Sequence, residues 1–397
     1  MSLEQISSLP PAQQQAILNG PALAPPAGVV PNLDNPPNSN VLCLIIMTIF
    51  LVIATLVFTL AVYAKLFYIK KLHVEDCKTI SVLNGKENLG YSLTYLMTVF
   101  AFAGFALYVA LQGCVFSLIA QFGLFVHQWD IRVKDLAGIF YLAHVASELY
   151  AVCIVLIKSA ILLEWVRIFV PRATRGAFYW ICHILLWTNV VFYTVILISA
   201  NLSCTPFARI WDKTLPGNCS TDNNAYDVAT ASFNFVSDVL IFLLPQRMIW
   251  RLHLKTKKKI GIAFIFAIGI SACTAAAYRL YASTRFLEKS DETYIIGDVA
   301  LGAEAETMCA ILIFYVPTLP KAFKHVKSPF KFLNSVFSRG QSYIGTSYIQ
   351  PSVDSSGHVE LGVLHPPRAH IPQMSILRTT QISLNRGTLA ESGSTYL

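Results

Sequence analysis

A few ionisable side chains lie within long apolar stretches of this 397-residue sequence. A charge at the centre of a bilayer costs about 2.5–3.5 kcal/mol, so such residues are functional candidates. His144 and Glu148 are four positions apart and share one face of a helix. Counted from the outer end of their runs, Glu148, Asp238 and Glu306 lie about ten residues deep, and Arg279 is the nearest cation by depth.

These five side chains predict a polar layer inside a helix bundle, in which Arg279 and His144 offset the carboxylates. One interpretation is a binding pocket, open to the outside, for a cationic or hydrogen-bonding ligand. The alternative is that the groups pair with one another and determine helix packing. A further acid, Asp298, is expected to be exposed at the outer interface.

The sequence contains no motif that would carry catalysis. There is no Gly-x-Ser-x-Gly, His-Glu-x-x-His, phosphate-binding loop or Cys-x-x-Cys. A metal site would need several ligands, and the polar layer offers the single imidazole of His144. We therefore expect no enzyme activity, no metal and no cofactor.

The apolar distribution predicts that these candidates lie in membrane spans. Apolar residues make up 55% of the chain and charged residues only 13%, about half the load typical of soluble domains. About 20 consecutive apolar residues cross a bilayer as a helix, and these runs lack the alternation of a barrel. The predicted fold class is all-α, a polytopic bundle of seven transmembrane helices. The predicted spans are Val41–Ala64, Gly90–Ala120, Leu136–Leu163, Ala177–Ala200, Val228–Trp250, Ile260–Ser283 and Ile296–Val316.

Basic residues determine the predicted orientation. Most of the 30 Lys and Arg follow the first, third, fifth and seventh runs, and the side richer in these residues is cytosolic. The N-terminus is therefore expected outside and the C-terminus in the cytosol. We expect a disordered extracellular segment over residues 1–40, a membrane domain over 41–325 and a mostly disordered cytoplasmic tail over 326–397.

A basic loop joins the fifth and sixth runs. Its simplest role is topology, together with attraction to anionic lipid worth about 1 kcal/mol per basic residue. A sharper interpretation is a docking surface for an acidic G-protein α subunit. Nucleic-acid binding is not expected for a membrane-tethered loop without interleaved aromatic residues. The candidate docking residues are Arg251, Lys255, Lys257, Lys258 and Lys259.

The loop after the fourth run carries two further signals. Asn201 and Asn218 each begin an Asn-x-Ser sequon, which is a glycosylation site if the loop is outside. Cys204 and Cys219 also lie there, in what would be an oxidising compartment. A bridge between them would close about 14 residues and contribute roughly 3 kcal/mol in the loop-entropy model. The alternative is that one of them pairs with Cys114.

Several motifs occur in a fixed order over residues 41–325. They are Gly123-Leu-Phe-Val-His127, Lys158-Ser with Arg167-x-Phe169, Cys204-x-Pro206, Asn234-x-x-x-Asp238 with Leu244-Pro245, and Glu306 before Pro317-Thr-Leu-Pro320. With this ordered set the chain resembles the fungal rhodopsin-like seven-helix integral membrane proteins. The resemblance implies a receptor-like architecture. A retinal pigment would need a Lys in the last span, and Ile296–Val316 contains none, so retinal is not expected.

Together these features predict a plasma-membrane protein that senses an unknown extracellular ligand. Its expected partners are the lipid bilayer, that ligand and a G-protein α subunit that reads the cytosolic loops. The alternative function is a proton-coupled or small-solute transporter that uses Glu148, Asp238 and Glu306 as a relay.

Overall fold

The computed structural model of the protein describes the backbone of residues 9–76, 87–170, 176–220, 223–246, 256–288 and 291–319. The chain divides into two units, Met1–Pro329 and Phe330–Leu397, and every described residue lies in the first. The predicted tail, residues 326–397, is outside the described residues. The described helices are α1 (Pro11–Leu18), α2 (Asn40–Asp76), α3 (Glu87–Gln121), α4 (Val133–Phe169), α5 (Ala177–Asn201), α6 (Asn223–Leu243), α7 (Thr256–Glu288) and α8 (Glu292–Tyr315).

Six of the described helices, α2 to α7, are long and apolar enough to cross a membrane. The fold is therefore an all-α, polytopic membrane fold. α8 is 24 residues long, but Asp298, Glu304 and Glu306 lie close together in it, so its composition alone does not mark it as a span. All three carboxylates point into the bundle, since none is more than 8% exposed.

Helix α4 packs most extensively against α3, α5 and α8. The buried face of α4 includes Ile154, Ile157 and Ala160, which are at most 2% exposed. The approach to α3 is close at Gly104, where an added Cβ atom would lie 2.7 Å from Ile157 Cγ1. Small residues allow such close approach, and van der Waals packing then holds membrane helices together in lipid.

The outside of the bundle is also apolar. On α5, Ile184, Trp187 and Val191 are 61%, 62% and 58% exposed, and their spacing places them on one face of the helix. A helix bundle that buries its polar side chains and exposes large apolar ones is adapted to a lipid environment rather than to water.

At one end of the bundle, α2 and α4 begin and α3 and α5 finish; we call this the disulfide end. After α5, strand β1 (Cys204–Thr205) pairs antiparallel with strand β2 (Asn218–Cys219). This register places Cys204 opposite Cys219, and the two form a disulfide bond. The predicted bridge is confirmed, and Cys114 is a free thiol.

Residues 9–39, which composition assigns to a disordered segment, follow a defined path across the disulfide end. The backbone N–H of Asn32 donates to Asp130 Oδ1 at 2.8 Å. Arg132 Nη2 lies 2.6 Å from Asp34 Oδ1. Both contacts join residues that are 98 positions apart in the sequence, and composition does not report such contacts; disorder of residues 1–40 stays a prediction.

Candidate functional site

A buried polar layer joins five helices, and Asn234 on α6 lies at its centre. Asn234 is 0% exposed. Its Oδ1 accepts hydrogen bonds from Lys158 Nζ at 2.7 Å and from Tyr193 OH at 2.6 Å. Its Nδ2 donates to Glu306 Oε1 at 2.7 Å. One amide therefore connects α4, α5, α6 and α8 in a region where unpaired polar groups are costly.

A second α6 residue, Asp238, completes one half of the layer. It follows Asn234 by four positions, so the two side chains lie on the same helical face. Lys158 Nζ lies 2.8 Å from Asp238 Oδ1, and the two side chains are 2% and 12% exposed. Each side chain of this ion pair offers the other the counter-charge that a charged group needs inside the bundle.

The other half of the layer is the pair of Arg279 on α7 and Glu306 on α8. Arg279 Nε lies 3.6 Å from Glu306 Oε2, and Tyr150 OH on α4 donates to Glu306 Oε1 at 2.9 Å. The guanidinium of Arg279 also stacks over the Tyr150 ring, with Cζ 4.5 Å from the centroid.

The Arg279–Glu306 pair is incompletely hydrogen-bonded. Arg279 Nε and Nη2 and Glu306 Oε2 are buried without a hydrogen-bond partner. A distance of 3.6 Å is too long for a hydrogen bond. The layer pairs two basic side chains with two acidic ones. The Arg279–Glu306 pair is therefore matched in formal charge, but no direct hydrogen bond joins its two side chains.

A smaller polar contact lies apart from this layer, between α3 and α8. Gln112 Nε2 donates to Glu304 Oε2 at 2.8 Å and to Tyr108 OH at 2.9 Å. Gln112 and Glu304 are 1% and 0% exposed. The contact joins α3 to α8 without a cation.

The structure brings together three of the five predicted polar-layer residues, Asp238, Arg279 and Glu306. His144 and Glu148 are not part of the layer, and both are partly exposed. His144 faces the disulfide loop, 6.1 Å from the Trp211 ring. That part of the predicted layer was wrong for a geometric reason: two positions along α4 turn the helix by about 200°, so Glu148 points away when Tyr150 faces Glu306.

Sequence reasoning missed several members of the layer. In the sequence, Lys158 and Asn234 stand out only as parts of family motifs. A signal was present, since Lys158 is the only lysine inside a predicted span and Asn234 precedes Asp238 by one turn. The two tyrosines, Tyr150 and Tyr193, carried no signal, because many tyrosines lie in these helices.

The prediction that Asp298 is exposed was also wrong. Asp298 is 8% exposed and accepts from Tyr278 OH at 2.6 Å and from Arg285 Nη1 at 2.7 Å. Both donors belong to α7, so this carboxylate links α7 to α8 in addition to the Arg279–Glu306 pair.

The loop after α3 clamps the start of α8. His127 Nδ1 lies 2.6 Å from Asp291 Oδ2, and the Gln128 backbone N–H donates to Asp291 Oδ1 at 2.9 Å. The His127 ring is stacked on Trp129 on one side and on Tyr294 on the other, with centroids 4.1 and 4.5 Å away. Any movement of this loop is therefore mechanically connected to α8.

Among the described residues, cavities of two sizes open at the disulfide end. The larger has a volume of about 430 Å³ and is lined by Val29, Asn32, His127, Trp129 and Asp130, among others. The smaller, about 170 Å³, lies between α4 and the disulfide loop. Neither of these two is lined by the polar layer, so the predicted pocket around the layer residues has no counterpart in them.

The remaining predicted sites have different outcomes. Asn218 is exposed, whereas Asn201 is half-buried and its Nδ2 donates to Leu197 O at 2.9 Å; glycosylation at either stays a prediction.

Of the predicted docking residues, Arg251 and Lys255 lie outside the described residues. Of the other docking candidates, Lys257, Lys258 and Lys259, the structure describes the backbone alone, in the first turn of α7. Within the described parts of the chain, no group of three or more His, Cys, Asp or Glu could hold a metal ion.

Comparison with known proteins gives a family match that covers the layer. The family model of the fungal rhodopsin domain matches residues 86–325. Fugralins biosynthesis cluster protein 2 of Gibberella zeae is 34% identical over 309 residues, which are 77% of this chain and 71% of that protein. A SAT4 family membrane protein of Emericella nidulans is 36% identical over 199 residues, half the length of each chain. No solved structure matches this chain significantly.

Proposed function

Because this chain belongs to the fungal rhodopsin domain family of membrane proteins, we propose that it is a seven-span, receptor-like protein of the plasma membrane. The observation that carries the proposal is the incompletely bonded Arg279–Glu306 pair within the polar layer. A receptor needs an element with two discrete arrangements. A ligand that binds one arrangement more tightly shifts the whole bundle toward it.

The proposed topology has α8 as the seventh span, the disulfide end outside and the C-terminus in the cytosol. The charges of α8 support its insertion as a span, because Asp298 and Glu306 have cationic partners inside the bundle. The disulfide supports an outer position for its end, since such bonds persist in oxidising compartments. The basic residues after α6 and α8 favour the same orientation.

The ligand site of this receptor is the larger cavity at the disulfide end. Its volume of about 430 Å³ is within the range of small-molecule sites. Its lining combines apolar and aromatic groups with amides and His127, which suits a small organic molecule with a few polar groups. The name of the Gibberella zeae relative refers to a biosynthesis cluster, and a small organic product as ligand is consistent with it.

The signal passes along α8 and α7 to the opposite end of the bundle. A ligand at His127 acts on α8 through Asp291, and α8 acts on α7 through Glu306 and Arg279. A displacement of α7 at Arg279 also moves its first turn, because a helix transmits motion along its length. That turn carries Lys257, Lys258 and Lys259, which form part of the proposed G-protein docking surface.

Proximity labelling from a C-terminal tag tests the receptor function in cells. We expect labelling of a G-protein α subunit in wild type, and a several-fold change in Glu306→Gln because the Arg279 pairing is lost. A variant with Lys257, Lys258 and Lys259 all changed to Gln should lose the labelling, because the positive docking surface is removed.

Two matched variants serve as controls. Glu164→Gln makes the same chemical change as Glu306→Gln at a surface pair, 3.4 Å from the half-exposed Arg167. Lys134→Gln removes an exposed lysine at the disulfide end. Equal labelling of the α subunit in wild type, Glu306→Gln and the triple lysine variant, with all inserted normally, would contradict the receptor function.

A second candidate function is proton-coupled or small-solute transport. The observation that favours it is the bridge from Asp238 through Asn234 to Glu306, which places two carboxylates on one buried amide next to Lys158. Such chains of ionisable groups occur in proton relays of transporters. In a transporter the layer would pass protons along its ionisable groups, whereas in a receptor it would change between two arrangements.

Proton flux into liposomes distinguishes the two functions. A transporter should acidify liposomes under an imposed proton gradient, and Glu306→Gln should abolish the flux while Glu164→Gln leaves it intact. Liposomes with the protein that are as tight to protons as empty ones would exclude proton transport and leave the receptor function.

A further inference from the structure

The contact between Gln112 and Glu304 leaves two oxygens without partners. Gln112 uses its Nε2 atom for both of its hydrogen bonds, to Glu304 Oε2 and to Tyr108 OH. Gln112 Oε1 and Glu304 Oε1 are buried and accept no hydrogen bond. Buried polar atoms in folded proteins nearly always have a partner, so a pair of bare acceptors on two touching side chains indicates a missing proton or ligand.

Among the residues that the structure describes, no cation pairs with Glu304, so an ionised Glu304 would have no counter-charge from them. None of the ion pairs among the described residues includes Glu304. The titratable groups that interact with it are Tyr108 on α3 and Cys153 on α4. Neither of them is a cation, and the Cys153 thiol donates to Gly104 O at 3.1 Å.

The other helices around α8 do not supply a cation either. α2 has no titratable side chain between Cys43 and Tyr63. On α7, Arg279 pairs with Glu306, and Arg285 pairs with Asp298 near the disulfide end. Glu306 itself follows Glu304 by two positions and therefore points to another side of α8. A carboxylate in such a place takes up a proton rather than remain charged.

One proton satisfies both bare oxygens. With a proton on Oε1, Glu304 would donate to Gln112 Oε1, while Glu304 Oε2 would still accept from Gln112 Nε2. The result would be a cyclic acid–amide pair with two hydrogen bonds. A bound metal cation fits less well, because it needs a shell of several oxygens and the two side chains offer only two free ones.

We propose that Glu304 is a proton-binding site, which at neutral pH holds a proton that it donates to the Gln112 amide. When the proton is present, the acid–amide pair holds α3 against α8. When it leaves, a charge and two opposed acceptors remain in the buried contact, so α3 and α8 separate. This site is distinct from the Arg279–Glu306 pair and does not depend on the receptor function.

Infrared spectroscopy of the full chain in lipid nanodiscs tests the proposal. A protonated carboxyl group has a carbonyl stretching band that an ionised one lacks, and labelling with ¹³C-glutamate shifts the band of glutamic acid but not that of aspartic acid. We expect a ¹³C-sensitive band at neutral pH in wild type that Glu304→Gln removes. Glu306→Gln is the matched control and should keep the band, because Glu306 is paired with a cation.

A further variant checks the amide partner. Gln112→Leu removes the group that accepts the proton, so the band should remain and move to higher frequency, as for a carboxylic acid without a hydrogen bond. The wild-type spectrum alone can overturn the proposal if no ¹³C-sensitive band is present at neutral pH, whether or not the variants fold. A melting temperature that rises with sodium chloride in wild type but not in Glu304→Gln, with no band, would indicate a bound cation and also overturn it.

Discussion

At the scale of single residues, Asn234 does what no charged side chain could do in its place. An amide both donates and accepts, so Asn234 can contact the cation of Lys158 through its oxygen and the carboxylate of Glu306 through its nitrogen. An aspartate would repel Glu306, and a leucine would leave Lys158 and Tyr193 with one partner fewer. The neutral residue at the centre allows opposite charges to share one buried layer.

The ion pair of Lys158 with Asp238 gives a prediction at this scale. Lys158→Met leaves Asp238 buried without its cation, and breaking a buried pair in this way costs about 3–5 kcal/mol. We expect a marked fall in the thermal unfolding temperature of the protein in detergent micelles. The double variant Lys158→Met with Asp238→Asn should recover most of the loss, because no uncompensated charge remains.

The double variant also decides the interpretation. If it is as unstable as Lys158→Met alone, the loss comes from packing of the lysine stem, and the charge pairing is not what stabilises this part of the layer.

At the scale of elements, the spacing of α3 and α4 depends on a residue without a side chain. An added Cβ atom at Gly104 would lie 2.7 Å from Ile157 Cγ1, whereas one at Gly113 on the same helix has nothing within 4 Å. The same substitution can therefore be compared in a tight and an open position of α3. The helix itself gains from either change, because glycine is about 1 kcal/mol less favourable than alanine in a helix interior.

We predict opposite signs for the two substitutions. Gly104→Ala should destabilise the protein by about 1–3 kcal/mol, because the added methyl group overpacks the contact with Ile157. Gly113→Ala should leave stability unchanged or raise it slightly. Urea or thermal unfolding of the two variants in the same detergent measures both, and equal stability of the two would contradict the close approach of α3 and α4.

How far the elements could be predicted from the sequence depends on what each signal reports. The runs of apolar residues located α2 to α7, because length and hydropathy are local properties. The direction in which each face of α4 points is not a local property of the sequence. Glu148 and Lys158 both lie in one apolar run, and only packing against α6 and α8 determines that Lys158 faces the layer and Glu148 does not. Glu304 is not among the predicted site residues, because its partner Gln112 is 192 residues away in the sequence.

At the scale of the whole molecule, the disulfide end is a layer of loops tied to one another. The bridge Cys204–Cys219 closes the loop between α5 and α6, and Lys213 in that loop lies 2.8 Å from Glu292 at the start of α8. The loop after α3 holds α8 through Asp291. The disulfide was predictable because both cysteines lie in one short loop; the ion pair was not, since its partners are 79 residues apart.

Removal of the bridge gives a prediction at this scale. Cys204→Ser should lower the free energy of unfolding by up to about 3 kcal/mol without reductant, because the unfolded loop regains its freedom. With reductant the variant and wild type should unfold at the same temperature. An equal loss in both conditions would mean that the serine disturbs the fold and that the bridge contributes little.

The proposed orientation can be tested on the intact protein. A glycosylation acceptor fused to the C-terminus should remain unmodified in cells, whereas an acceptor placed before α1 should be modified, because only the outer side is exposed to the glycosylation machinery. Modification at the C-terminus would reverse the orientation and with it the proposed ligand and docking ends.

The contacts of the N-terminal segment have a consequence for how the chain is made. Asn32 and Asp130 are 98 residues apart, and ribosomes add about 5–20 residues per second. Asn32 is therefore synthesised roughly 5–20 s before the residue that will bind it, while α2 and α3 are still entering the bilayer. During that interval the segment is accessible to chaperones and proteases. The speed of translation through α3 therefore determines how long the nascent chain is exposed to proteolysis.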